Sequence, residues 1–306
     1  MKRWDLLGAA VRSATEQTRP ATEVLLVVDH NDELLVRATA AFPGVHVVAN
    51  GFDVGLSGAR NTGIQRASGD VLAFLDDDAA AEPDWLERLA GGYDDPNVFG
   101  VGGYVDPAWE RGDRPRWMPS EFDWVVGCSY RGLPTTTDEI RNPIGANMSI
   151  RREVFGRVGG FESRLGRVGT TPLGCEETEL CIRARQHQPG SKVLHQPDAI
   201  VHHFVPSART TLRYYHARCR AEGISKAHVG NLVGASDGMS SERTYLSRTL
   251  PTGIVRALAA GLKGDVYGPA RAGLIVSGLG AFALGYLPAL RRLRRASPAA
   301  VAGLSS

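Results

Sequence analysis

The sequence predicts an α/β protein: a mostly parallel sheet flanked by helices, followed by a helical, membrane-associating C-terminal extension. Three observations carry this. Short apolar runs alternate with amphipathic helical stretches over the first two thirds of the chain. Two of those runs, residues 23–28 and 71–75, end at acidic residues, Asp29 and Asp76-Asp77-Asp78, the strand ends where open α/β sheets bind ligands. The last third turns basic and apolar, with no charged side chain from 272 to 290. At 306 residues the chain is long enough for a full α/β core with one appendage. A net charge of +2 gives no reason to expect nucleic acid as a partner. The four cysteines, Cys128, Cys175, Cys181 and Cys219, lack Cys-x-x-Cys spacing, so free thiols in a reducing compartment are expected and a zinc site is not. The first residues are basic without an apolar segment, which does not support a signal peptide.

In chain order, residues 6–17 fit an amphipathic helix with Leu6, Leu7, Ala10, Val11 and Ala14 on one side. Residues 23–28 read as a buried strand, 34–41 as a helix and 45–48 as a strand. Residues 58–61 are a tight polar opening to a helical stretch, 62–68, with Gly69 as its C-cap. Residues 71–75 have the composition of a buried parallel strand. A helix at 83–93 and a Gly-rich strand at 98–105 follow. Residues 107–137 look irregular and hold Trp109, Trp117, Phe122, Trp124 and Tyr130. These aromatics either cover the core or form a platform on which a sugar ring stacks; the sequence leaves both open.

A strand within 142–150 runs into a helix at 151–158, closed by Gly159-Gly160. A Gly-rich loop, 165–173, precedes a helix from Gly174 to about Gln186. Residues 193–195 and 199–201 read as two short strands, the second leading into His202-His203. Beyond Pro206, residues 209–227, 240–249 and 253–262 look helical. The uncharged segment 272–290 approaches the roughly 20 residues needed to span a bilayer. Its glycines and Pro288 lower its hydrophobicity, so lying on or dipping into the membrane fits as well as spanning, and packing on the catalytic domain is a third option. Arg291, Arg292, Arg294 and Arg295 favour the cytoplasmic, anionic face. The expected division is 1–206, 207–296 and a disordered tail, 297–306.

Three adjacent aspartates repel one another unless a cation or a set of donors lies among them. A solvated loop capping the next helix is the plain alternative to a Mg²⁺ or Mn²⁺ site holding a phosphorylated ligand. Asp29 suits a ligand carboxylate and a helix N-cap equally. Glu176 and Glu177 suit the start of a helix through its dipole.

Gly58-Ala-Arg-Asn-Thr-Gly, Phe74-Leu-Asp-Asp-Asp, Gly145-Ala-Asn-Met-Ser-Ile-Arg-Arg, Gly159-Gly-Phe and Cys175-Glu-Glu-Thr-Glu-Leu occur in this order. Together they resemble the family-2 glycosyltransferases, over roughly residues 4–206. The resemblance implies a Rossmann-like nucleotide-sugar-binding domain of the GT-A type. By that resemblance Asp29, Arg60, Asn61, Asp76 and Asp77 belong to the nucleotide-sugar site. Asp78, with Asp76 and His203, would bind the metal that bridges the diphosphate. Glu177 falls where the family's general base stands, with Glu176 as a second candidate because Glu replaces the usual Asp. Trp124 and Asn147 are placed on the acceptor side. The implied enzyme is a hexosyltransferase acting at the cytoplasmic face of the cell membrane. It would move one sugar with inversion to a lipid-linked or polysaccharide hydroxyl. No Gln-x-x-Arg-Trp motif, the family's mark of processive polymerases, follows.

One departure stands out. The family's opening strand, normally before the first helix, has no counterpart here, which leads to the expectation of a start lying upstream and of two strand edges left unpaired. A sugar-nucleotide-binding module with impaired turnover is therefore the competing function. A phosphohydrolase or nucleotidyltransferase is the more distant one, since Ala80 stands where the former needs Thr.

Overall fold

The computed structural model describes residues 3–166, 174–234 and 244–296; the expectations for the rest of the 165–173 loop, for 240–243 and for the tail lie outside these. Helix α1 (Arg3–Thr15) turns Leu7, Gly8, Ala10 and Val11 inward. Strand β1 (Leu25–Val28), helix α2 (Asp32–Ala41) and strand β2 (His46–Ala49) follow. Asn31 caps α2 through its side chain, accepting from Leu34 N at 2.9 Å. Helix α3 (Leu56–Arg66) begins earlier than expected and absorbs 58–61. Gly58 fits there because a Cβ would lie 2.0 Å from Asp53 O. The helix closes at Ala67, in extended geometry, not at Gly69.

The remaining strands are β3 (Val71–Leu75), β4 (Ala79–Ala81), β5 (Val98–Trp109), β6 (Asp138–Ile140), β7 (Asn147–Arg151) and β8 (Lys192–Val205). Between them lie α4 (Trp85–Gly91), α5 (Arg152–Val158) and α6 (Glu176–His187), with a 3₁₀ turn at Ser120–Val126 inside the aromatic region. The α/β architecture with a central sheet flanked by helices is as expected. The sheet itself is mixed, not mostly parallel: β1–β2 and β5–β8 pair parallel, while β3–β7, β4–β8, β5–β7 and β6–β8 pair antiparallel. The expected strands at 193–195 and 199–201 are one strand, β8. Pro197 sits where the β5 register jumps from Gly103↔Gln196 to Tyr104↔Ile200, a bulge that removes the need for its missing N–H.

The sheet is split. β1 and β2 form a two-stranded unit, and β3 is the outer strand of the order β3-β7-β5-β8-β4. β1 pairs with β2, β3 pairs with β7, and a cavity of about 1590 Å³ is lined by both β1 and β3. The strands expected to be buried are accordingly half open, with Val71 37% exposed. Helix α1 links the two parts. Trp4 stacks on Phe42 with Arg37 over its ring, and Ser13 Oγ accepts from Ala81 N at 3.0 Å.

Beyond the sheet the described residues form α7 (Leu212–Val233), α8 (Leu250–Leu262), preceded by a π-helical turn at Tyr245–Thr249, and α9 (Gly268–Ala296). The aromatic region is largely core. Phe122 and Tyr215 are 2% and 1% exposed and pack with Met118, Val125, Leu250 and Ile275.

Candidate active site

β1 ends at Asp29, whose Oδ1 accepts from Asn50 Nδ2 at 2.7 Å and whose Oδ2 accepts from Gly55 N at 3.0 Å. Burial alone would raise its pKa, but these bonds and one to His30 outweigh it and hold the carboxyl below its ordinary value. His30 has φ +50 and Cys175, before Glu176, has φ +74; these are the non-glycine residues with positive φ among the described residues. Both strained positions adjoin carboxylates facing the cavity.

β3 and β4 flank Asp76, Asp77 and Asp78. Ligand atoms of Asp76, Asp78 and His203 all lie within 4.8 Å of one another. His203 comes from β8, paired with Ala79 of β4, which fixes it beside the aspartates. Its Nε2 is 3.3 Å from Asp78 Oδ1, and its Nδ1 is 3.6 Å from Cys128 Sγ. Gly127 lets the ring in: its φ is +87, and a Cβ would come within 3.2 Å of the imidazole. Burial pushes the Asp78 pKa up, but His203, Arg209 and Arg3 together hold it below the ordinary value. Two carboxylates and one imidazole with this spacing fit a Mg²⁺- or Mn²⁺-type ion. Asp77 points elsewhere, to a two-oxygen ion pair with Arg3 at 2.8 Å.

Arg60, 7% exposed, joins the aspartates to the glutamates. It donates to Glu176 Oε1 at 2.7 Å, to Gly145 O at 3.0 Å and to Asp76 Oδ1 at 3.3 Å. The guanidinium offsets the charge of Glu176, while Oε2 of that residue is buried without a hydrogen-bond partner among the described residues. Among the described residues, no guanidinium is paired with Glu177 in this way. Burial, and then the charge of Glu176, push its pKa well above the carboxylate range, against a smaller pull from Arg60. A carboxyl raised in this way is suited to proton transfer near neutrality.

Asp29, Arg60, Asp76, Asp77, Asp78, Glu176, Glu177, His203 and Trp124 all line the one cavity. Asn61 and Asn147 do not. Asn61 accepts from Phe161 N at 2.8 Å and donates to Phe161 O at 2.9 Å, bracing the Gly160-Phe161 corner. Asn147 is fully buried, accepts from Trp85 Nε1, and donates to Tyr104 O and Ala199 O. Both side chains are engaged in ties between segments and stand outside the residues that line the cavity.

Sequence reasoning missed three groups. Arg3 and Arg209 lie 4.0 and 3.8 Å from Asp78 Oδ2. On α7, Arg218 donates to Glu222 at 3.0 Å, Lys226 lies 3.8 Å from Glu222, and all three line the cavity near Glu177. Their i, i+4 spacing was visible in the sequence; that α7 folds back beside α6 was not.

Residues 1–159 match the family model described as Glycosyl transferase family 2. A glucosyl-dolichyl phosphate glucuronosyltransferase of Haloferax volcanii is 36% identical over 230 residues, covering 74% of this chain and 73% of that protein. The succinoglycan biosynthesis protein ExoM of Rhizobium meliloti is 30% identical over 208 residues, covering 62% of each. Among solved structures, the mannosyltransferase PcManGT of Pyrobaculum calidifontis, in complex with GDP-Man and Mn²⁺, superposes with a TM-score of 0.57. It is 18% identical and the match covers 92% of this chain and 83% of that one, a likeness of fold.

Proposed function

The chain belongs to glycosyl transferase family 2, and from that premise we propose an inverting, metal-dependent transfer of one sugar from a nucleoside diphosphate sugar to an acceptor hydroxyl. The acceptor is lipid-linked or a growing polysaccharide, met at the cytoplasmic face of the membrane. The observation that carries this is the placing of Asp76, Asp78 and His203 in one cavity with a Glu177 carboxyl of raised pKa. The dolichyl phosphate in the name of the Haloferax relative supports the lipid-linked acceptor.

Asp29 orients the nucleoside. Asp76, Asp78 and His203 would hold the divalent ion, which supplies charge neutralisation for the departing nucleoside diphosphate when bound. Glu177 takes the proton of the acceptor hydroxyl as its oxygen bonds to the anomeric carbon. The bond from that carbon to the diphosphate oxygen breaks on the opposite side, which inverts the centre. Arg60 occupies Glu176 in an ion pair, leaving Glu177 as the base.

Thermal-shift titration with nucleotide sugars and Mn²⁺ or Mg²⁺, on wild type and Asp78→Ala, tests the donor site. Stabilisation by at least one pair, lost in the variant, is expected; an identical shift in both proteins would remove Asp78 from it. The split between β1 and β3 favours one competing reading, donor binding without turnover, because it separates Asp29 from Asp76 and Asp78. Tight donor binding with no transfer to any acceptor would select it.

A further inference from the structure

Helices α8 and α9 form an antiparallel pair, with Gly261 against Pro269 and Gly268 against Ala257, and they present an apolar outer surface. On α8, Val255 and Leu262 are 67% and 92% exposed, and Val266 in the turn is 78% exposed. On α9, Val276, Leu284 and Leu287 are 60%, 69% and 50% exposed. Positions 255, 258 and 262, and 276, 280, 284 and 287, follow the helical repeat, so each set is a stripe. The most apolar window of α9 has a mean hydropathy of 1.7 but is 17% buried, the reverse of a soluble core helix. Charge accompanies this surface. Between 250 and 296 there are seven Lys or Arg residues and one acidic residue, Asp265, although the whole chain carries only +2. Arg291, Arg292, Arg294 and Arg295 are all exposed.

We propose that this face docks on an anionic lipid membrane with α8 and α9 lying in the membrane plane. Charge and apolarity on one helical pair identify the partner as a lipid surface. The packing of α9 argues against a crossing. It lies backbone to backbone on α7: a Cβ on Gly223 would meet Phe282 O at 2.1 Å, and one on Gly285 would meet Arg220 O at 2.0 Å. Arg213 and Arg220 of α7 are exposed alongside, so a spanning α9 would draw them into hydrocarbon. The same helix borders the active cavity through Gly278, Leu279 and Phe282, with Leu246 and Leu250 beside them. A lipid-linked acceptor thus reaches Glu177 from the bilayer side. That last step rests on the transferase reading; the docking does not.

The test is co-sedimentation of the full chain with vesicles of phosphatidylcholine alone or containing about one third phosphatidylglycerol. Salt-sensitive binding to the anionic vesicles and release by alkaline carbonate are expected. Replacing Arg291, Arg292, Arg294 and Arg295 by Gln should weaken binding roughly a hundredfold, at about fivefold per cationic residue at most. Leu262→Glu with Leu284→Glu should abolish it at an unchanged melting temperature, since both side chains are exposed. Transfer to a soluble, short-chain acceptor should persist in these variants; its absence in wild type as well would count against the transferase reading and not against docking. No binding to either vesicle, or equal binding by the variants, overturns the proposal. Resistance to carbonate overturns the in-plane arrangement in favour of a span. A dimer that dissociates on Leu262→Glu with Leu284→Glu would assign the face to a second copy.

Discussion

Glu176 and Glu177 are adjacent and chemically identical, yet Arg60 gives them different surroundings. Glu176 is paired with the guanidinium at 2.7 Å, while Glu177 bears the desolvation and the repulsion that raise its pKa. Glu177→Gln should keep donor binding and lower the transfer rate about 10²–10⁴-fold, the usual worth of a general base; stopped-time product assays with a donor titration check both halves. In wild type, the rate should rise with pH along a limb centred near the Glu177 pKa of about 8, and that limb should vanish in the variant. Stability runs the other way. The folded-state pKa lies above the unfolded one, so the contribution of Glu177 is fully present below about pH 4.5 and is lost as pH rises toward 8. Glu177→Gln should therefore melt higher than wild type at pH 9, by on the order of 3 °C, with the difference shrinking toward pH 5 in parallel thermal melts. For Asp78→Ala, a loss of about a thousandfold in kcat/KM is expected from removal of one ligand to the ion, and excess Mn²⁺ should not restore it. The gathering of Asp76, Asp78, Glu177 and His203 was legible in the sequence because the aspartates follow a strand, Glu177 stands in the first turn of a helix, and His203 follows the apolar run 199–201, although it lies inside β8 and not at its end. Arg3 and Arg209 were not, because an arginine's reach is set by the fold around it and not by its neighbours in the chain.

At the scale of elements, α7 is the shared wall of the molecule. One side carries Arg218, Glu222 and Lys226 toward the cavity, and the other receives α9 at Gly223. Gly223→Ala should cost roughly 1–3 kcal/mol or more, since backbone atoms cannot give way. Gly280→Ala, where an added Cβ meets open space, should instead stabilise α9 by about 0.5–1 kcal/mol. Urea denaturation of the two variants measures both changes. Periodicity located nearly every helix and strand, because burial on one face leaves a trace in composition. Pairing partners left no such trace. β5 and β8 are long and joined side by side, but the sequence showed a Gly-rich run and two fragments around Pro197, since a bulge looks like a break when read along one strand. Asn61 and Asn147 sit in the motifs that carried the resemblance, yet they hold backbone carbonyls. Residue identity alone does not distinguish a ligand-facing amide from one that ties two segments together.

Over the whole molecule, the division between the β1–β2 unit and the larger sheet shapes how the protein should come apart. Asp29 belongs to one part and the Asp76, Asp78 and His203 set to the other, with α1, α3 and the Arg60 contacts as the links between them. A chain built this way has fewer interactions shared across its parts than a continuous sheet would give it, so unfolding need not be a single cooperative event. Without ligand, calorimetry should resolve two transitions, the lower one confined to β1, α2 and β2. Amides there should exchange with solvent faster than those of β5 and β8. A nucleoside diphosphate sugar touching both Asp29 and the metal ligands would be a cross-link between the two. At a hundredfold excess over its Kd it would add about 2.7 kcal/mol, all of it directed at the weaker transition, and merge the two into one. The donor would then act as the missing cooperativity of the sheet as well as a substrate.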